Sequence, residues 1–194
     1  LEKIALNLQD KNVKTILSAA DLSEESQLNN HCEEIAQKCP QLDFAYVNAG
    51  ISLPISSGSF EEGSVAGWAK TYQVNVIAPW KIAYTLLKSA RMVKNGKVFF
   101  ISSSISGRLS EAAYACSKMA LNKMVTDLAK TSKARSAEFC LIDPGWISTD
   151  MGGQMAPNNV ETLFPGIIFP AATTHSCNGS WISAQDYRGL SVEE

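Results

Sequence analysis

Along most of this chain, apolar runs of strand length alternate with segments whose apolar residues recur at helical spacing. Leu1, Ile4, Ala5 and Leu8 open with a helix-like period, and Val13-Lys14-Thr15-Ile16-Leu17 reads as a short strand. Ser23, with Glu24, Glu25 and Ser26, has the composition of a helix start. Leu28, Cys32, Ile35 and Ala36 then mark one helix face as far as Lys38, and Pro40 stops it. Leu42–Val47 is an apolar strand, followed directly by Asn48-Ala49-Gly50 and a Ser/Gly loop over residues 51–64. A long helix is expected over about 64–90, with a kink near Asn75 because Pro79 breaks the hydrogen-bond ladder there. Val98–Ile101 is the next strand, 112–130 the next helix, and Glu138–Ile142 another strand, ending at Asp143-Pro144-Gly145. Residues 150–178 read as loop, and Gly179–Ser183 as a last strand. Strand–helix alternation of this kind is the signature of a parallel α/β sheet.

The 194 residues suffice for one domain with a substantial core, spanning 1–194. With 45% hydrophobic and 19% charged residues, net charge −2 and no basic run, nothing points to nucleic acid or an anionic membrane. No stretch of about 20 apolar residues suggests a transmembrane helix. The five cysteines, Cys32, Cys39, Cys116, Cys140 and Cys177, lack Cys-x-x-Cys spacing and are expected as free thiols in a reducing, cytoplasmic setting. His31 and His175 lie far apart, so no metal site and no Ser-His-Asp triad is expected.

The candidate chemistry sits between Val98 and Lys118. An apolar strand exits through Ser102, Ser103 and Ser104, crosses a polar loop with Gly107, and enters a helix bearing Tyr114 and Lys118. Residues four apart share a helix face, so the lysine ammonium can reach the surroundings of the phenol. A free phenol has a pKa of about 10. A nearby cation lowers an acid's pKa by roughly 1–3 units, toward the range where a general acid/base works best. A serine hydroxyl can hold a substrate oxygen at the same point. Ligands in open α/β sheets bind beyond the carboxyl ends of strands, and Asp21, Asn48, Ser104 and Pro144 each follow a strand.

These pieces, in this order, resemble the short-chain dehydrogenase/reductase family. The match rests on Asn48-Ala49-Gly50, on Asn75 within Val74-Asn75-Val76, on Ser103-Ser104-Ile105-Ser106-Gly107 with Tyr114 and Lys118, and on Asp143-Pro144-Gly145-Trp146-Ile147-Ser148-Thr149. The resemblance implies a Rossmann-like, doubly wound parallel sheet in three α/β/α layers, and NAD or NADP as cofactor. It implies hydride transfer between a carbonyl and a secondary alcohol. Tyr114 becomes the acid/base, Lys118 the residue that lowers its pKa and holds ribose hydroxyls, and Ser104 the substrate-orienting hydroxyl. Ser103 is a one-residue-shifted alternative; Ser104 is preferred because Gly107 falls three residues on. Asn75 would support a proton-relaying water, unless its amide merely bonds its own backbone.

By the same resemblance Asp21 and Leu22 contact the adenine. Asn48, Ala49 and Gly50 form the cofactor floor. Pro144, Gly145, Ile147 and Thr149 hold the nicotinamide amide and a neighbouring phosphate. Trp146 and Met151 face the substrate, and residues 151–163 form its lid. A homodimer or homotetramer through the 64–90 and 112–130 helices is implied too. The family's Gly-rich turn has no counterpart, since Gly50 is the first glycine. The first strand–helix–strand portion is therefore expected to be absent, and the chain to be part of a longer protein. That absence also keeps open a non-catalytic nucleotide-sensing or binding protein on the same scaffold.

Overall fold

The computed structural model describes Leu6, Leu8, Lys11 and residues 13–53, 64–105, 111–131 and 137–190. Ser106, Gly107 and most of the Ser/Gly loop lie outside the described residues. Of the helix expected over residues 1–9, Leu6 and Leu8 are described, and both are helical.

Among the described residues, four strands form one parallel sheet: β1 (Leu42–Val47), β2 (Met92–Ile101), β3 (Ala137–Asp143) and β4 (Trp181–Ser183), side by side in that order. Val98 pairs with Ala45 on one side and Phe139 on the other, and Ile142 pairs with Ile182. Helix α1 (Glu25–Lys38) precedes β1. Between β1 and β2 lie α2 (Val65–Tyr72), a π-helical turn (Gln73–Ile77) and α3 (Ala78–Lys88). Helix α4 (Ala112–Thr131) joins β2 to β3. The alternation thus gives the parallel α/β layers that the sequence predicts.

The strands alternate between two cores. One face buries Val98, Phe100, Phe139 and Leu141 under Ala83 and Leu86 of α3 and Leu121 and Val125 of α4. The other buries Phe99, Cys140 and Ile142 beneath Leu163, Ile167, Ala171 and Ala184. On that second face the cover is short: a 3₁₀ turn (Val160–Leu163), α5 (Phe169–Ala172) and a 3₁₀ turn (Ala184–Tyr187).

Ser64 caps α2 by accepting the Gly67 N–H. Pro79, near the start of α3, has no N–H to give the carbonyl four residues back, that of Asn75. The ladder shifts there to a π turn, in which Ala78 N–H donates to Gln73 O. The expected kink is therefore a π turn centred on Asn75.

Two expectations are corrected. Val13–Leu17 is not a strand; Val13, Ile16 and Leu17 stand half exposed with no ladder partner. A strand needs a neighbour to take its backbone groups, and none of the described strands flanks this segment. The cysteines are not all thiols either. Cys140 on β3 is bonded to Cys177, while Cys32, Cys39 and Cys116 are free. Their Cα atoms lie 6.0 Å apart because the segment before β4 folds across β3, a proximity that a separation of 37 residues does not reveal. The pairing removes the ground on which a reducing compartment was expected.

The same segment is held by a buried charge. Lys97 Nζ donates to the carbonyls of Pro170 (2.8 Å), Thr173 (2.7 Å) and His175 (3.3 Å). Glu138, its cross-strand partner, accepts the Cys177 N–H at 2.9 Å. Among the described residues no helix is long and apolar enough to cross a membrane.

Peptide mapping without reductant is expected to recover Cys140 and Cys177 in one cross-linked species, with the other three cysteines alkylated. Cys177→Ala should lower stability by about 2–4 kcal/mol, read as a drop in the urea midpoint.

Candidate active site

The carboxyl ends of β1, β2 and β3 open on a cleft of about 790 Å³. Asn48, Ala49 and Gly50 enter it from β1, Ser103 and Ser104 from β2, and Pro144, Gly145, Trp146, Ile147 and Thr149 from β3. Tyr114 and Lys118 come up from α4, and Met151, Val160, Leu163 and Ile167 close the far side. Most of the residues singled out from the sequence thus line one space. Asp21 and Leu22 do not. Asp21 is exposed and accepts from Ser23 N–H and Oγ in the turn before α1, while Leu22 packs on Leu28 and Cys32.

Asn75 lies behind the lining, fully buried. Its Oδ1 accepts the Ile51 N–H (2.8 Å), and its Nδ2 donates to Ile51 O and Ser117 Oγ (2.9 Å each). Ser117 in turn donates to Tyr114 O at 2.7 Å. The amide therefore does not bond its own backbone. It ties the exit of β1 to the turn of α4 that carries the tyrosine and lysine.

Lys118 is 3% exposed and donates to Ile101 O at 2.8 Å. Its Nζ lies over the Tyr114 ring, 5.5 Å from the centroid. Burial lowers its pKa from 10.5 to about 8. The phenol moves the other way. Burial raises the Tyr114 pKa, a hydrogen bond with Ser103 opposes the rise, and the charges of Asp143 and Glu111 add to it. The lowering expected from Lys118 is therefore not what the free site displays: desolvation dominates, and the ammonium sits at the ring face rather than at the hydroxyl.

The phenol distinguishes the two candidate serines for the substrate oxygen. Its side-chain partner is Ser103, whose Oγ also accepts the Ile105 N–H at 3.1 Å. Ser104 is more exposed and is fixed through its backbone, its N–H donating to Asp143 Oδ2 at 3.0 Å. Both serines line the cleft, and Ser103 is the one that acts on the Tyr114 phenol.

Sequence reasoning assigned no role to Asp143 or Glu111. Asp143 takes Ser104 N–H on one oxygen and Gly145 N–H on the other (2.9 Å), which locks two strand exits together. An aspartate just before Pro-Gly at a strand end was the available signal. On the lid side, Trp146 Nε1 donates to Gly152 O at 2.7 Å. Gly152 is required there, since a β-carbon would stand 2.0 Å from Ile147 O.

The unfolded chain keeps the Lys118 proton up to its ordinary pKa, whereas the folded chain releases it from about 8 upward. The penalty on the buried ammonium is thus complete below about 8 and is relieved as pH climbs toward 10.5. Lys118→Met should flatten a rise in unfolding free energy of up to about 3 kcal/mol across that window, measured by urea denaturation of both proteins at stepped pH.

A model of the short chain dehydrogenase family matches residues 1–159. A benzil reductase ((S)-benzoin forming) of Saccharomyces cerevisiae is 31% identical over 166 residues, covering 82% of this chain and 61% of that protein. An uncharacterized oxidoreductase of Escherichia coli is 32% identical over 135 residues, which is 66% of this chain and 52% of that one. The chain thus spans little more than half the length of these relatives. Among solved structures, a short chain dehydrogenase from Salmonella enterica serovar Typhi superposes with a TM-score of 0.82 at 26% identity, covering 94% of this chain and 80% of its own. A short-chain dehydrogenase/reductase from Burkholderia multivorans with bound NADP gives 0.77 at 20% identity, with coverage of 94% and 80%. The family match over most of the length agrees with the sheet and the cleft: this chain belongs to the short-chain dehydrogenase family.

Proposed function

We propose that the chain is the catalytic portion of an NAD(P)-dependent oxidoreductase that interconverts a carbonyl and a secondary alcohol. The observation that carries this is one cleft lined by Tyr114, Ser103, Ser104 and Lys118, with the Lys118 ammonium buried over the Tyr114 ring. Acid, oxygen-holding hydroxyl and cation converge on one space large enough for a small molecule beside a nicotinamide.

The donor set fits the nicotinamide-ribose end of a dinucleotide. An ammonium has three N–H groups; one from Lys118 is on Ile101 O, and the ammonium also lines the cleft, where ribose hydroxyls can accept from it. Asn48, Ala49 and Gly50 form the floor, and Pro144, Gly145, Ile147 and Thr149 offer backbone and hydroxyl groups to the carboxamide and a phosphate. When bound, the cofactor supplies or accepts the hydride.

The chain's own residues do the rest. Ser103 holds the substrate oxygen while Tyr114 passes it a proton in reduction or takes one in oxidation. Burial and the nearby carboxylates keep the phenol protonated in the free site, the state needed to donate to a forming alkoxide. Asn75 acts as a positioning residue through Ile51 and Ser117. Trp146 and Met151 wall the substrate side. Trp80, Tyr84 and Met119, exposed on α3 and α4, support assembly of copies through those helices.

Tyr114→Phe is expected to lower kcat for carbonyl reduction by about 10²–10⁴-fold while nucleotide binding persists, followed by NADPH oxidation and fluorescence titration. Undiminished turnover would exclude the acid/base role. Ser103→Ala should cost at least about tenfold more in kcat than Ser104→Ala; the reverse order would return the oxygen-holding role to Ser104.

A further inference from the structure

Glu138 and Cys140 stand two apart on β3, so their side chains leave the same face of the sheet. The segment before β4 crosses that face, and its Cys177 meets both. The carboxylate and the two sulfurs all lie within 4.8 Å of one another. Cys140 is fully buried, Cys177 nearly so, and Glu138 is partly open. Glu138 Oε2 accepts the Cys177 N–H at 2.9 Å and lies 3.6 Å from Cys177 Sγ. Lys97, opposite Glu138 on β2, holds its ammonium against the same segment.

Two sulfurs and a carboxylate are donors that suit zinc. With Zn–S at about 2.3 Å and Zn–O at about 2.0 Å, a sulfur and an oxygen on a tetrahedral ion stand about 3.5 Å apart. The 3.6 Å between Cys177 Sγ and Glu138 Oε2 is already such an edge. Two sulfurs on the same ion stand about 3.8 Å apart, so the Cys140–Cys177 bond must open before an ion enters. A dication with two thiolates and a carboxylate leaves one negative charge, which the Lys97 ammonium on the same face offsets. We propose that the reduced chain binds zinc through Cys140 Sγ, Cys177 Sγ and Glu138 Oε2, with water in the fourth position beside Glu138. The exchange balances. A dithiol reductant attacks the sulfur of Cys177, the less enclosed of the two, and Cys140 leaves as a thiol. The reductant's second thiol then displaces Cys177 and closes a cyclic disulfide, so two electrons pass to the protein. Zinc takes both sulfurs as thiolates, and two protons are released. The segment behind Ile167 thereby keeps a bond to β3 in reducing conditions as well as oxidising ones.

The test compares one chain in two states. The chain is reduced with a phosphine, freed of it without air, and titrated with Zn²⁺ beside the oxidised chain. Cys32, Cys39 and Cys116 are thiols in both states, so the difference between the titrations belongs to Cys140 and Cys177. The reduced chain should bind one zinc more than the oxidised chain. Co²⁺ in its place should show thiolate-to-metal charge transfer and the intense visible bands of tetrahedral coordination, beyond any seen in the oxidised chain. Zinc should raise the urea midpoint of the reduced chain and leave that of the oxidised chain where it is. Glu138→Gln keeps both cysteines, so its oxidised form reports the fold, and its reduced form should bind zinc at least about tenfold more weakly. Equal uptake in the two states, a cobalt spectrum without the added sulfur band, or a reduced-chain midpoint that zinc does not move would overturn the proposal. Undiminished affinity in Glu138→Gln would overturn it as well.

Discussion

The carboxamide of Asn75 is fully buried and takes part in three hydrogen bonds, two to the Ile51 backbone and one to Ser117. It joins the exit of β1 to the helix turn that carries Tyr114 and Lys118. The β1 exit would otherwise be free to drift from α4, and with it the floor at Asn48–Gly50. Ser117 relays the constraint to the Tyr114 carbonyl, and the next residue is Lys118. The π turn at Gln73–Ile77 gives the amide its position, and Pro79 gives the turn its cause. One missing N–H in a helix thus sets the reach of a side chain that bridges two layers. Buried polar groups with all their partners fix a single arrangement, because a partly satisfied alternative is costly.

Burial also decides the electrostatics. Tyr114 and Lys118 are both desolvated, which raises the pKa of one and lowers that of the other. Each shift disfavours the charged form, yet with its pKa at about 8 Lys118 remains a cation at neutral pH. The carboxylates of Asp143 and Glu111 reinforce the protonated phenol. The site is therefore poised as an acid before anything binds, and a positive ring brought alongside would be needed to draw the proton off.

Much of this was legible in the chain. Leu42–Val47 has the same bounds as a strand in the structure as in the apolar pattern, and α4 extends the expected 112–130 helix by one residue. Local periodicity suffices where a segment's partners are adjacent in sequence. Val13–Leu17 has the same apolar look and forms no strand, because a ladder is made by a neighbour and not by the residues that ask for one. The two serines at the β2 exit, Ser103 and Ser104, both reach the cleft, which their adjacent positions already imply. The Cys140–Cys177 bond and the Lys97 cap join residues 37 or more positions apart, beyond anything that local pattern encodes.

The segment that backs Ile167 is fastened to the sheet twice, by means that share no vulnerability. The Lys97 ammonium spends its donors on three carbonyls, and Cys177 is covalently joined to Cys140. A thiol reagent cuts the second tether and leaves the first untouched. The rear of the cleft is thus redundant by construction, and its shape outlasts a swing in redox conditions that would loosen a flank held by sulfur alone.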